Sequence, residues 1–170
     1  MKKLLVIVDM QNDFVDGALG AEGGKEAVQN ARELLARERA EGTKIVFTKD
    51  LHGENYLETQ EGKRLPVPHC IKGTEGAQIA KELNVGGATV FEKYTFASIE
   101  LAEFTRQEGF DEILFAGICT DICVVSNALL VKAYNPDTRV AVVADCCAGT
   151  TKENHLAALQ VMKCCQIDII

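Results

Sequence analysis

Six short stretches of this sequence are aliphatic without alternation: KLLVIVD from residue 3, KIVFTKD from 44, ATVFEK from 88, DEILFAGI from 111, RVAVVAD from 139 and QIDII from 166. A strand with one wet face alternates apolar with polar residues, so strands apolar throughout must be covered on both faces. Helical patterns separate them, near residues 24–42, 76–84, 98–109, 121–134 and 151–165, and the last opens on TTKE, a Thr150 to Glu153 capping box. The alternation predicts an α/β fold, a three-layer doubly wound sheet of about six mainly parallel strands with helices on both faces. With no linker, repeat or low-complexity tract, residues 1–170 read as a single domain, long enough to bury a core without staples.

Charge narrows the partners. Lys and Arg number 18 against 25 Asp and Glu, a net charge of −7, and no basic patch interrupts it. Such a chain repels nucleic acid and anionic membrane surfaces. The opening MKKLLVIVD has five apolar residues before Asp9, too short for a signal-peptide core, and no stretch approaches membrane-spanning length. Seven cysteines, an odd number without CxxC spacing, fit reduced thiols and a cytoplasmic location. The adjacent pairs Cys146-Cys147 and Cys164-Cys165 read as small apolar fillers, because neighbouring side chains diverge and do not chelate together. The glycines of DGALGAEGG are not ordered as a dinucleotide fingerprint and read as a flexible entrance loop.

In doubly wound sheets, ligands bind beyond the carboxyl ends of the strands. Five polar groups fall there: Asp9, Asp50, His52, Lys93 and, just past FAGICT, Cys123. Each alone has an ordinary explanation, a turn cap, a loop histidine, a snorkelling lysine or a buried thiol. Together they suit one task. A carboxylate can take the thiol proton and return it to a leaving amine, an ammonium can stabilise the charge they share, and the helix N-terminus at Cys123 favours a thiolate and offers N–H groups to an oxyanion. Acyl transfer is the implied chemistry.

A second set is Asp50, His52 and, 17 residues beyond His52, His69. D-x-H puts two ligands on one side of an extended segment, and a distant histidine closes a three-ligand metal site with open positions for a substrate atom and a water. These residues lie on or in LHGENYLETQEGKRLPVPHCIKGTEG, residues 51–76, a loop of a length that compact domains reserve for function. His155 reads as structural.

VIVDMQNDF, KDLH, LPVPHCIKGTEG, FEKYTF and GICTDICV, in that order, resemble the isochorismatase-like cysteine hydrolase superfamily and, through the metal-type residues, its nicotinamidase branch. The resemblance spans essentially the whole chain. It implies a triad of Asp9, Lys93 and Cys123, one divalent metal on Asp50, His52 and His69, and an oxyanion hole from the N–H groups of Cys119 and Cys123. Zinc suits that ligand set best, with iron or manganese also fitting. It also implies a cis peptide between Ile118 and Cys119, a small amide substrate such as nicotinamide, and a homo-oligomer, a dimer or tetramer. By match Cys123 is the nucleophile, with Cys119 its rival.

The chain departs from the branch at Pro66, where nicotinamidases often carry a tryptophan to pack on the pyridine ring; it has no tryptophan at all. Phe14, Tyr94 and Phe96 are left as apolar walls for substrate, and Glu58 or Glu61 as a fourth metal ligand. Two other readings compete. A metal-free relative acting on another amide or ureido compound would keep its activity in chelators. A signalling receiver would need adjacent acids at the first strand's end and has no use for Cys123.

Overall fold

In the computed structural model, which describes residues 1–170, the six apolar runs form β1 Lys3–Val8, β2 Lys44–Asp50, β3 Thr89–Lys93, β4 Glu112–Ile118, β5 Arg139–Ala148 and β6 Asp168–Ile169. They make one sheet, parallel throughout, in the order β3-β2-β1-β4-β5-β6. The order turns back between β1 and β4, so the crevice for a ligand opens beyond the ends of those two strands. Six helices accompany the sheet: α1 Asn12–Val15, α2 Gly24–Ala40, α3 Gln60–Arg64, α4 Ile99–Glu108, α5 Val125–Tyr134 and α6 Lys152–Cys164.

β1, β2, β4 and β5 have no alternation because both their faces are core. From β1, Leu5 and Ile7 pack with Ala31, Leu34 and Leu35 of α2, while Leu4, Val6 and Val8 pack with Leu101 of α4, Val131 of α5 and Met162 of α6. Phe115 of β4 is fully buried in the second core, where truncation to alanine would cost about 3–5 kcal/mol. No helix is long and apolar enough to cross a membrane.

Four expectations need correction. Residues 76–84 are not a helix: Gly76 and Gln78 carbonyls accept the N–H groups of Asp13 and Asn12, and Ala80 donates to the Met10 carbonyl. That pairing takes the backbone groups a helix would need, yet Ala77, Ala80 and Leu83 still fill the α2-side core. The cap of α6 is Thr151, whose side chain accepts from Asn154 N–H, since Thr150 Oγ1 is spent donating to Asp121. Cys146 and Cys147 are buried on opposite faces of the sheet, but Cys164 and Cys165 are exposed and fill nothing. Finally, Cys123 lies in a wide π-helical turn, Thr120–Val124, that precedes α5.

Candidate active site

Sheet register brings the strand-end residues together. Val8 pairs with Gly117, and a Cβ on Gly117 would run into Val8, so glycine lets β4 close against β1 at the rim. Asp9 follows at φ 46°, a left-handed conformation that aspartate tolerates better than branched residues. The Ile118–Cys119 peptide is cis, as the family resemblance implies. Asp50 pairs with Lys93 across β2 and β3.

Asp9 is fully buried; its Oδ1 accepts from Thr48 Oγ1 at 2.6 Å, and its Oδ2 lies 2.5 Å from the Lys93 ammonium. Lys93 Nζ is 3.7 Å from Cys123 Sγ and 3.7 Å from Asp50 Oδ1. Burial pushes the Asp9 carboxyl above its ordinary value, against the pull of Lys93. Burial also opposes the Lys93 charge, but the Asp9 carboxylate beside it holds the ammonium above its ordinary value. For Cys123, burial raises the thiol well above its ordinary value, Asp9 adds to this, and Lys93 offsets part of it. At rest Cys123 is therefore a protonated thiol. Burial thus opposes the thiolate that the helix N-terminus favours, so the thiol needs a base to take its proton. Cys119, pushed up to about 12 by burial and then Asp121, has no lysine beside it.

The metal-type residues gather a few ångströms away. Ligating atoms of Asp50, His52, Glu61 and His69 all lie within 4.8 Å of one another. His52 Nε2 is 3.0 Å from Asp50 Oδ2, and His69 Nε2 is 3.7 Å from Glu61 Oε1. Glu61 thus joins the set, and Glu58 is exposed. His69 Nδ1 donates to the Val67 carbonyl at 2.8 Å, which fixes the tautomer and leaves the Nε2 lone pair free. Burial lowers the His52 pKa, but the Asp50 hydrogen bond together with the negative charges of Asp50 and Glu61 more than reverses it; burial raises that of Glu61. Two carboxylates and two imidazoles crowded together, three of the four buried, fit a divalent cation with nitrogen and oxygen ligands.

Three residues that sequence reasoning missed hold this set in shape. Gln11, fully buried, donates to the Asp50 carbonyl at 2.7 Å, accepts from the Asp50 N–H at 2.7 Å and donates to Ala77 at 3.0 Å. Asp13 accepts from Cys70 N–H at 2.8 Å, next to His69. Tyr56 packs its ring 4.9 Å from His52 and 5.0 Å from His69 and donates its hydroxyl to the Leu65 carbonyl. The one clue in the sequence is a buried-looking Gln and Asp inside VIVDMQNDF. His155, taken as structural, shares a 2.8 Å hydrogen bond with Thr120 beneath the Cys123 turn, and burial lowers its pKa.

One cavity of about 1060 Å³ is lined by Cys119 and Cys123, the four metal-type residues, and Phe14, Tyr94 and Phe96. Leu19 of the glycine-rich entrance loop lines it too. Asp9 and Lys93 are not among the lining residues; the buried Lys93 ammonium lies 3.7 Å from Cys123 Sγ.

The isochorismatase domain family matches residues 3–170. The nicotinamidase/pyrazinamidase of Mycobacterium tuberculosis is 31% identical over 185 residues, covering 99% of this chain and 98% of that one. An isochorismatase family protein of Bacillus subtilis is 34% identical over 173 residues, covering 94% and 93%. In structure, the pyrazinamidase of Pyrococcus horikoshii in complex with zinc superposes with a TM-score of 0.86 at 29% identity, covering 100% of this chain and 99% of that one. With the family matched over nearly its whole length, the chain belongs to the isochorismatase domain family.

Proposed function

We propose that this chain is a cysteine amidohydrolase that converts nicotinamide, or a similar small heteroaromatic carboxamide, to its acid and ammonia. The observation that carries the reading is that Cys123 and the Asp50, His52, Glu61 and His69 set line one cavity, with the Asp9–Lys93 pair behind the thiol. Asp9, with its raised pKa, takes the Cys123 proton as Sγ attacks the amide carbon. Lys93 stabilises the negative charge as it passes between carboxylate and sulfur. The N–H groups of Cys119 and Cys123 take the developing oxyanion. Collapse breaks the C–N bond, and Asp9 returns its proton to the nitrogen, which leaves as ammonia. Water then attacks the thioester with Asp9 again as base, releasing the acid and restoring the thiol. A divalent ion on the four side chains, zinc before iron or manganese, would supply a Lewis-acid anchor for a ring nitrogen and for water. Phe14, Tyr94 and Phe96 wall the ring, in place of the tryptophan that Pro66 replaces.

The same reading puts the chain in the cytoplasm, where its seven free thiols stay reduced, as a homo-oligomer in NAD salvage. Ammonia release is the test, measured on nicotinamide and on benzamide, with zinc-loaded and chelator-treated protein. Nicotinamide should be turned over at least ~100-fold faster, since the ring nitrogen fixes the carboxamide against the thiol. Equal rates on both amides, or full activity after metal removal, would overturn it.

A further inference from the structure

Asn127 lies one helical turn beyond Cys123, is fully buried, and uses both its amide hydrogens and its carbonyl oxygen. Its Nδ2 donates to the Cys123 carbonyl at 2.8 Å and to the Phe96 carbonyl at 3.0 Å, while its Oδ1 accepts from the Ser98 N–H at 2.9 Å. Two of the three bonds therefore go to the stretch between β3 and α4, where Tyr94, Thr95 and Phe96 line the cavity. That stretch has little else to fix it. Tyr94 is 80% exposed and Phe96 46%, and apart from the Asn127 contacts no hydrogen bond joins residues 94–97 to the rest of the chain. This part of the wall is tied to the rest of the chain by one side chain, and that side chain grows from α5, the helix that follows the Cys123 turn.

We infer that Asn127 is a positioning residue that sets the cavity wall Tyr94–Phe96 against the Cys123 thiol and so governs how a substrate is seated. The inference rests on the reading of this cavity as the substrate site. A wall contacts the ring alike in the ground state and in the transition state, so loosening it weakens binding rather than chemistry. The third bond, to the Cys123 carbonyl, steadies the turn that bears the nucleophile. The two arms are separable. A threonine at this helical position can still donate to the carbonyl four residues back, but it is too short to serve Phe96 and Ser98.

Asn127→Thr in the full-length, metal-loaded protein tests this. It should raise KM for nicotinamide about tenfold while kcat and the alkylation rate of Cys123 by iodoacetamide stay within about threefold. Amide exchange at Ser98 should speed up about tenfold or more, because its acceptor is gone. Asn127→Leu, which removes all three bonds, should give the same KM rise and also alter Cys123 alkylation. Unchanged exchange at Ser98, or a fall in kcat with KM unmoved, would overturn the inference. The exchange measurement needs no substrate, so it judges Asn127 even where turnover by Cys123→Ala shows the functional reading itself to be wrong.

Discussion

The two halves of the cavity are built on different foundations. Asp9 and Lys93 stand at strand ends and Cys123 in the turn after a strand, so sheet register sets their distances. The metal-type set takes only Asp50 from a strand, Glu61 from the five-residue helix α3, and His52 and His69 from the loops on either side of it. Their charge differs as well. Asp9 and Lys93 neutralise one another and Cys123 holds its proton, so that half is balanced as it stands. Asp50 and Glu61 crowd against two imidazoles with Lys93 on one side only, and a divalent cation would complete the balance. A rigid, self-neutralised half suits bond making, whereas an adaptable, unbalanced half suits recognition.

The largest expected effect breaks the first half alone. Cys123→Ala should lower kcat ~10⁴-fold or more, because covalent catalysis has no substitute donor there. Its metal content by elemental analysis should stay at one ion per chain. Cys119→Ala should retain turnover within about tenfold, since only an N–H is asked of that residue and the backbone is kept. Loss confined to the Cys119 variant would transfer the nucleophile to its rival.

Breaking the second half should spare the first. Glu61→Gln keeps an oxygen but loses a charge, and should weaken zinc binding ~10–100-fold in competition with a chromophoric chelator. Glu58→Gln should bind zinc as the parent does. Cys123 alkylation should be the same in both, because neither carboxylate touches the thiol. Equal weakening by the two variants would remove Glu61 from the ligand set.

What the sequence made legible follows the same division. The strands were readable because the central ones have core on both faces, and Asp9, Asp50 and Lys93 were readable as candidate-site residues because the end of an apolar run marks a rim position. Glu61 could not be told from Glu58, since the choice depends on how Tyr56 folds the loop over the two histidines. IAKEL looked helical, but pairing with residues 10–13 overrode its propensity. Gln11 and Asn127 are ordinary amides in sequence; their importance lies in partners 39 and about 30 residues away. The burial that raises the Cys123 thiol was not legible, because it depends on tertiary packing and not on the local motif.

Lys93 links the halves, with Cys123 on one side and Asp50 on the other. Its positive charge lowers the thiol pKa, so its removal raises that pKa further, and thiolate appears only at higher pH. Lys93→Ala should therefore move the alkylation profile of Cys123 to the alkaline side and slow the reaction roughly tenfold at fixed pH, the equivalent of about one pKa unit. An unmoved profile would take Lys93 out of the catalytic half and leave it a support for Asp50.

The smallest expected effect tests how far the recognition half depends on its scaffold. Asp13 reaches no metal-type side chain, yet its carboxylate accepts from Cys70 N–H at 2.8 Å and lies 3.4 Å from Ala18 N–H, so it ties the His69 loop to the entrance loop. Asp13→Asn preserves the shape but offers one acceptor oxygen and turns an NH₂ group toward the other donor. Losing one charge-assisted hydrogen bond should cost about 1.5–3 kcal/mol of stability, read as a lowered denaturation midpoint. Because His69 sits one residue from the affected amide, zinc affinity should fall about threefold to tenfold, less than for a lost ligand. Cys123 alkylation should not move, since the sheet holds the thiol's neighbours independently of this loop. A variant that lost thiol reactivity along with metal affinity would mean that the two halves share one scaffold, and the contrast between them would fall.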